Sequence, residues 1–460
     1  MDTPHDPFVQ KTLRILFVIS LMTCASVASV AAQGIPPLLE PPPGSTITTD
    51  PVTFSGAHTS ADLKHLLRIG SSLGGSNLFS QSLGTGHSAT VSGLPSSGPI
   101  YVSYWTLNSA GWFVNRVVYT MDVGSGAPRV WNCPAGDTDC LINAITIGNG
   151  SGNPEIIRLE SGTYTITSFY TGGHLLPPIT GNITIEGAET TGTIIRSTMF
   201  HDFLQTFEVD TLGTLKLTKL SIMGGGTGVL NLGNATLDKV TISHNTGIGV
   251  GIINRQTGTI TIRDSTVAYY RGDEHSGGGI VNSGAMQLIG STIEQNSRSA
   301  FGGIINSRTG TMNINTSTIT DNSADFVGAG GISNRGQMEL HNTLVQNNFG
   351  ATVGGLENQE GEINISLSVF TGNNTEEGFG GAIFNSGPMT ISKSVIALNK
   401  ANAGAGIFNF GADLSLEQTV ILGNEAASNG GGIKNGGNGR LTLTETVITN
   451  NTPDDCVGCP

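Results

Sequence analysis

"GNNTEEGFGGAIFNSGPMTIS", Gly372 to Ser392, sets two glycines before an apolar pair, closes that step on Asn385, then alternates through Met389 and Ile391. The step recurs. "GVLN" ends at Asn231, "GIIN" at Asn254, "GIVN" at Asn282 and "GIIN" at Asn306. "GISN" ends at Asn334, "GLEN" at Asn358, "AIFN" at Asn385, "GIFN" at Asn409 and "GIKN" at Asn435. The intervals are 23, 28, 24, 28, 24, 27, 24 and 26 residues. A period near 25 with several short strands in each is the mark of a β-solenoid. Steps of two coils hold at 52, 52 and 51 from Asn254 to Asn409, so the unit of growth is a coil pair.

Parity within one period gives the coil. Ile280 and Asn282 are two apart, as are Met286 and Leu288, and Ser291 and Ile293. On a strand each such pair faces one way. Each period therefore supplies three short inward-facing runs separated by turns. The fold class is all-β: a right-handed, single-stranded parallel β-helix of about 11–12 coils, preceded by a small β-sandwich. Stacking at about 4.8 Å places like residues over like, so the recurring asparagines form a ladder of amides bonded to one another and to turn backbone. The glycine pairs Gly278-Gly279, Gly302-Gly303, Gly330-Gly331, Gly354-Gly355, Gly380-Gly381 and Gly431-Gly432 are expected to supply positive φ at sharp bends, and to let neighbouring turns approach closely.

The rest of the chain divides around this repeat. Lys11 and Arg14 precede the apolar "ILFVISLM", and "VAA" at Val30–Ala32 fits a signal-peptidase site, so 1–32 is expected to be an export signal. Residues 33–45 are a Pro-rich linker. Short alternating runs with Gly, Pro and Ser turns over 46–123 predict a β-sandwich. Tyr104, Trp105 and Trp112 are expected in its core. Residues 124–150 form a linker and capping helix, with Thr138 as N-cap and Leu141, Ile142, Ile145 and Ile147 at helical spacing. Residues 151–460 are the β-helix with a C-terminal cap, "TPDDCVGCP".

Composition narrows the partners. Charged residues are 12% of the 460, about half the usual share, and glycine appears 66 times, a texture common in secreted β proteins. A net charge of −13 argues against nucleic acid. No apolar run in the mature chain is long enough to span a membrane. A monomer, secreted or at the cell surface, is expected. In an exported chain the cysteines pair locally, Cys133 with Cys140 and Cys456 with Cys459. The "CVGC" spacing also fits a redox pair or half a metal site, but no second pair of ligands lies near it.

"FTGNNTEEGFGGAIFN", Phe370–Asn385, carries an F-x-x-N element at Phe370 and Asn373, followed by G-G-A-I. It resembles the repeat of chlamydial-type polymorphic outer membrane proteins. Ile replaces Phe ahead of Asn296, Asn322 and Asn424. The stretch 130–460 is similar to bacterial right-handed β-helix repeat proteins. The front segment resembles fibronectin-type-III-like or immunoglobulin-like modules. The resemblance implies a surface protein with adhesive contacts to glycans or other proteins. No barrel sequence follows the expected cap, so an autotransporter route is not expected.

No Asp cluster with a basic partner, and no Asp/His/Arg-x-Lys set, falls on the solenoid strands. Catalytic residues are therefore not assigned. One pattern stands out: acids in the loops before the glycines, at Asp273, Glu274, Asp325, Glu376, Glu377 and Glu425, with Arg298 and Lys400 at similar places in the short coils. In one register they would line an edge as a rim for glycans or cations; no cofactor is expected, Ca²⁺ at this rim being the one candidate. The simpler reading is solvated charge that keeps the solenoid soluble. A non-enzymatic, adhesin-like contact protein leads. A polysaccharide lyase or glycoside hydrolase, and a purely structural surface protein, are the alternatives.

Overall fold

The computed structural model describes residues 38–460 apart from 43–44, 48–49, 59–61, 73, 96, 110, 123–127, 171–173, 189–191, 200–203, 246–249, 273–276 and 298–299. The expected export signal lies outside these residues. The chain forms two compact units, Met1–Val123 and Gly124–Pro460.

In the first unit, a three-stranded antiparallel sheet orders Leu38–Glu40, Val52–Gly56 and Ser88–Val91. The five-stranded sheet orders Thr46–Ile47, Gly111–Asp122, Ser97–Asn108, Lys64–Gly70 and Phe79–Gly84. Both bury one cluster, with Phe54 and Val91 from one sheet and Leu67, Ile69, Val102, Tyr104 and Tyr119 from the other. The span read as linker thus contains a strand: Leu38 pairs with Gly56 and Glu40 with Ser55.

The second unit is a right-handed parallel β-solenoid of about 12 turns. A typical coil has three strands. Ile280–Asn282, Ala285–Ile289 and Thr292–Glu294 lie in register over Ile304–Asn306, Thr311–Asn315 and Thr318–Thr320. Period-2 alternation sends one residue in and the next out, so each inward position becomes a column. Ile280, Ile304, Ile332, Leu356 and Ile383 form one such column. Val267, Ile293, Ile319, Val345 and Phe370 form another, all essentially without solvent exposure.

Polar columns run beside these. Asn231, Asn254, Asn282, Asn306, Asn334, Asn358, Asn385, Asn409 and Asn435 make one ladder. Each Nδ2 donates to the Oδ1 one coil on, at 2.8–2.9 Å. The same amides donate to turn carbonyls, as Asn306 does to Gly310 and Gln337. A second ladder occupies the next corner, through Asn296, Asn322, Asn348, Asn373, Asn399, Asn424 and Asn451. A column of hydroxyls marks the third corner, where Ser291, Ser317 and Ser394 Oγ accept from the backbone N–H groups of Ser265, Ser291 and Ser368 one coil back.

The bends are not made by the glycine pairs. Of the six pairs, only Gly380 has positive φ, at 76°. The others are needed for the absence of a side chain: a Cβ on Gly278 would lie 1.9 Å from the Gly302 carbonyl oxygen, and one on Gly302 equally close to that of Gly330. The left-handed residues at the corners are mostly not glycine. Gln295, Asp321, Asn347 and Leu398, with φ of 51–59°, each precede an asparagine of the second ladder. Thr316, Asn342, Leu367 and Lys393 each precede a column Ser or Thr. Such backbone costs about 1–3 kcal/mol per residue unless its surroundings enforce it. Here the buried amide or hydroxyl that follows is fixed by its own hydrogen bonds, and it holds the corner.

Both ends are closed. The helix spans Thr138–Ser151 and is capped by Asp137, whose Oδ1 accepts from the Cys140 N–H at 2.9 Å, rather than by Thr138. Leu141, Ala144 and Ile145 are buried against the first coil, while Ile147 points outward. The Cys133–Cys140 disulfide ties the helix to the strand Arg129–Cys133. At the other end Cys456–Val457 pairs with Ile433 and Lys434, next to the Cys456–Cys459 disulfide. Asn435 Nδ2 ends the first ladder on the Gly458 carbonyl, and Asp455 Oδ1 ends the second on Asn451.

Asn306→Ala removes one ladder bond from each of Asn282 and Asn334 and the side-chain donor to the Gly310 and Gln337 carbonyls, so it is expected to cost about 3 kcal/mol in chemical denaturation. Asn435→Ala, at a half-exposed end, should cost about 1 kcal/mol. Gly302→Ala should prevent soluble folding, whereas Gly411→Ala, strained at φ 70° but with nothing within 4 Å, should cost about 1 kcal/mol.

Candidate functional site

The acidic rim does not form one line. Asp273, Glu274 and Arg298 lie outside the described residues. Pairing aligns Ser323, Phe349, Asn374, Lys400 and Glu425. Asp325 and Glu376 therefore sit two positions past that row and Glu425 sits on it. Glu425 is opposite Lys400 and forms an ion pair with it at 3.0 Å. Asp325 accepts from the Ser323 hydroxyl. Glu376 and Glu377 are exposed. The register slips because loop lengths differ between coils, which counting back from the anchor asparagine does not reveal. The aligned carboxylates Asp325 and Glu376 are two coils apart, about 9–10 Å. Ca²⁺ takes about 6–8 oxygens, and among the described rim acids no three gather closely.

The third face of the solenoid carries an outward row that the sequence reading missed. Ser333, Glu357, Phe384, Phe408 and Lys434 stack in register. Phe384 stacks on Phe408 at 5.6 Å, and Phe379 and Phe410 flank Phe408 with large exposed areas. Lys434 Nζ lies 5.2 Å from the Phe408 ring. Beside this ridge Glu357 is 6% exposed. It accepts from Ser333 Oγ at 3.3 Å and Gln359 Nε2 at 2.5 Å. Burial raises its pKa, while these bonds and the Arg335 charge pull the other way.

The front module holds the most developed surface. Residues 64–68, 103–107 and 112–116 pair in register, so their outward rows are set. Lys64, Leu107 and Trp112 make one row. Leu66, Trp105 and Val114 make the next, and Arg68, Ser103 and Arg116 the third. Trp105 and Trp112 are therefore not core residues: the inward neighbours Tyr104 and Thr106 are. Trp112 is 47% exposed and meets Trp105 edge to face at 6.5 Å. The guanidinium groups of Arg68 and Arg116 each lie 6.0 Å from the Trp105 ring. Leu66, Arg68, Trp105 and Trp112 line a shallow pocket. Trp105 Nε1, Arg68 Nε and Ser103 Oγ are buried there without a hydrogen-bond partner. The missed signal was parity. With Tyr104 inward, alternation forces Trp105 out, and Trp112 with it.

A shallow groove on the first face is lined by Thr311, Asn313, Gln337, Glu339, Glu362 and Asn364, with Met312 and Met338 at its floor. It offers two carboxylates and no cationic side chain.

No family model matches the chain, and no curated protein sequence matches it. Among solved structures the chain is similar to the Agl-KA catalytic domain, at 14% identity over 86% of this chain and 85% of that one, with a TM-score of 0.45. It is also similar to ORF18 of Geobacillus virus E2, at 14% identity over 75% and 66%, TM-score 0.30. A third is the family 28 exopolygalacturonase of Yersinia enterocolitica, at 9% identity over 92% and 98%, TM-score 0.27. Likeness at that level carries no activity across to this chain.

Because its pKa is raised in the fold, Glu357 costs stability at pH above its native pKa and none below the unfolded value of about 4.3. Glu357→Gln is expected to raise the melting temperature by about 2 °C at pH 7, and the gain should vanish near pH 4. Calorimetric scans at the two pH values check this.

Proposed function

We propose that the chain is a secreted or cell-surface protein without catalytic activity that binds acidic glycans, with the solenoid as its scaffold. The observation that carries this reading is the outer face of the five-stranded sheet. The exposed Trp112 and the half-buried Trp105 offer aromatic surface of the kind that stacks on sugars. Lys64, Arg68 and Arg116 bring three cations, and the three paired rows contain no acid. Charge complementarity then favours a carboxylate-bearing sugar over a neutral one.

The phenylalanine ridge beside Lys434 gives the solenoid a second aromatic surface of the same chemistry. Export, the fibronectin-like character of the module and kinship with polymorphic outer membrane repeats belong to this proposal. Their support is the N-terminal apolar stretch, the two-sheet architecture and the single intact F-x-x-N and G-G-A-I coil.

A glycan array probed with the purified chain is expected to show uronate-bearing oligosaccharides above neutral ones of equal length. Trp105→Ala with Trp112→Ala should weaken that binding at least about tenfold, which is about 1.4 kcal/mol, in a chain that still melts cooperatively. Unchanged affinity in the double variant defeats the reading. So does release of reducing ends or unsaturated products from a polysaccharide panel.

A further inference from the structure

Among the described residues, three side chains whose donor atoms gather closely enough to hold a metal ion are His58, Asp62 and His65. They lie away from the tryptophan face, on the inward side of the same module. His58 follows the strand Val52–Gly56 of one sheet, and His65 belongs to Lys64–Gly70 of the other. His58 Nδ1 and His65 Nε2 are 3.2 Å apart. Asp62 Oδ2 is 3.7 Å from the first and 3.9 Å from the second.

These separations have a chemical meaning. Four ligands placed tetrahedrally at zinc distances, about 2.0–2.1 Å, stand about 3.3 Å from one another. The three donor atoms already approximate one face of that tetrahedron. Two imidazoles and one carboxylate form a recurrent zinc set with a fourth position left to water. His58 is exposed, so solvent reaches that position, while His65 is fully buried and Asp62 nearly so.

The outer contacts fit as well. His65 Nδ1 is 3.1 Å from the Thr106 hydroxyl, and its ring stacks on Tyr104 at 5.3 Å. A hydroxyl accepting from Nδ1–H fixes the tautomer that leaves the Nε2 lone pair free, as the second ring nitrogen of a metal-bound histidine requires. The His87 ring stacks on His58 at 5.5 Å and limits its rotation.

We propose that His58, Asp62 and His65 bind one zinc ion through Nδ1, Oδ2 and Nε2, clamping the end of the first sheet's strand to the second sheet. The ion would add a bond between the two sheets to the packing that already joins them.

The test is titration of the full mature chain, freed of any affinity tag, with zinc chloride in a calorimeter, and with Co²⁺ while recording visible absorption. About one ion per chain and the intense visible bands of tetrahedral Co²⁺ are expected, together with a higher melting temperature when zinc is added. His58→Ala, at an exposed position, and Asp62→Asn should each weaken zinc at least about tenfold. The melting temperature of the His58→Ala chain without metal should match that of the unaltered chain without metal. Absence of stoichiometric binding overturns the proposal, as does zinc affinity unchanged in both variants. Either result would identify a hydrogen-bonded His–Asp–His group serving the fold alone. The readouts involve no glycan, so failure here leaves the sugar-binding reading standing.

Discussion

From Asn282 onward each coil carries a carboxamide at two of its corners, and each is satisfied by an amide, or at the last coil an oxygen acceptor, at the same place one coil on. An amide deep in an apolar interior is costly when alone and favourable when each donor meets an acceptor. The two asparagine ladders meet that condition coil after coil. The requirement sets the register: a slip of one residue would break the apolar columns and the amide chains together. It also explains the tolerance for left-handed Leu398 or Lys393, whose backbone strain is held in place by the fixed amide or hydroxyl that follows. Where Tyr270 occupies a ladder position the amide chain stops, although its backbone N–H still donates to Asn296 Oδ1.

The same constraint decides where chemistry can appear. Inward positions are taken by apolar side chains and by the hydrogen-bonded Asn, Ser and Thr columns, so the solenoid offers only outward rows and loops. Those rows are shallow and repetitive. The one outward row that departs from the pattern runs from Glu357 through the phenylalanines to Lys434. The front module is different. Its antiparallel strands leave one whole face to tryptophan and arginine and place histidines at the end of the core, giving more varied chemistry in far fewer residues.

The solenoid was legible because its period is written in residues that leave little choice, the asparagine and the glycines before it. The second ladder was half legible. Asn296, Asn322, Asn373 and Asn424 were recognised as a motif, but their burial was not. Glycine misled, since a residue that permits left-handed backbone is also the one that leaves room, and at Gly278 and Gly302 room is what the neighbouring carbonyl demands. The rim misled because loop length varies while the anchors do not. The tryptophans were misplaced by composition, which favours burial, when alternation along Tyr101–Leu107 alone would have turned Trp105 outward. The histidine group was invisible in sequence, since Asp62 and His65 converge with His58 only through the packing of two sheets.

Strand dipoles in a sheet largely cancel, but the side-chain ladders do not. In both, each amide nitrogen points toward the C-terminal end and each oxygen toward the N-terminal end, and Asn231 Oδ1 is left without a partner where the first begins. The stacked amides therefore add into an axial polarisation whose sense is opposite to that of an α-helix, negative at the start and positive at the finish. The carboxylate of Asp455 closes the positive end of one ladder. The solenoid is in this respect an electret, and an anion sits where its field is most welcoming.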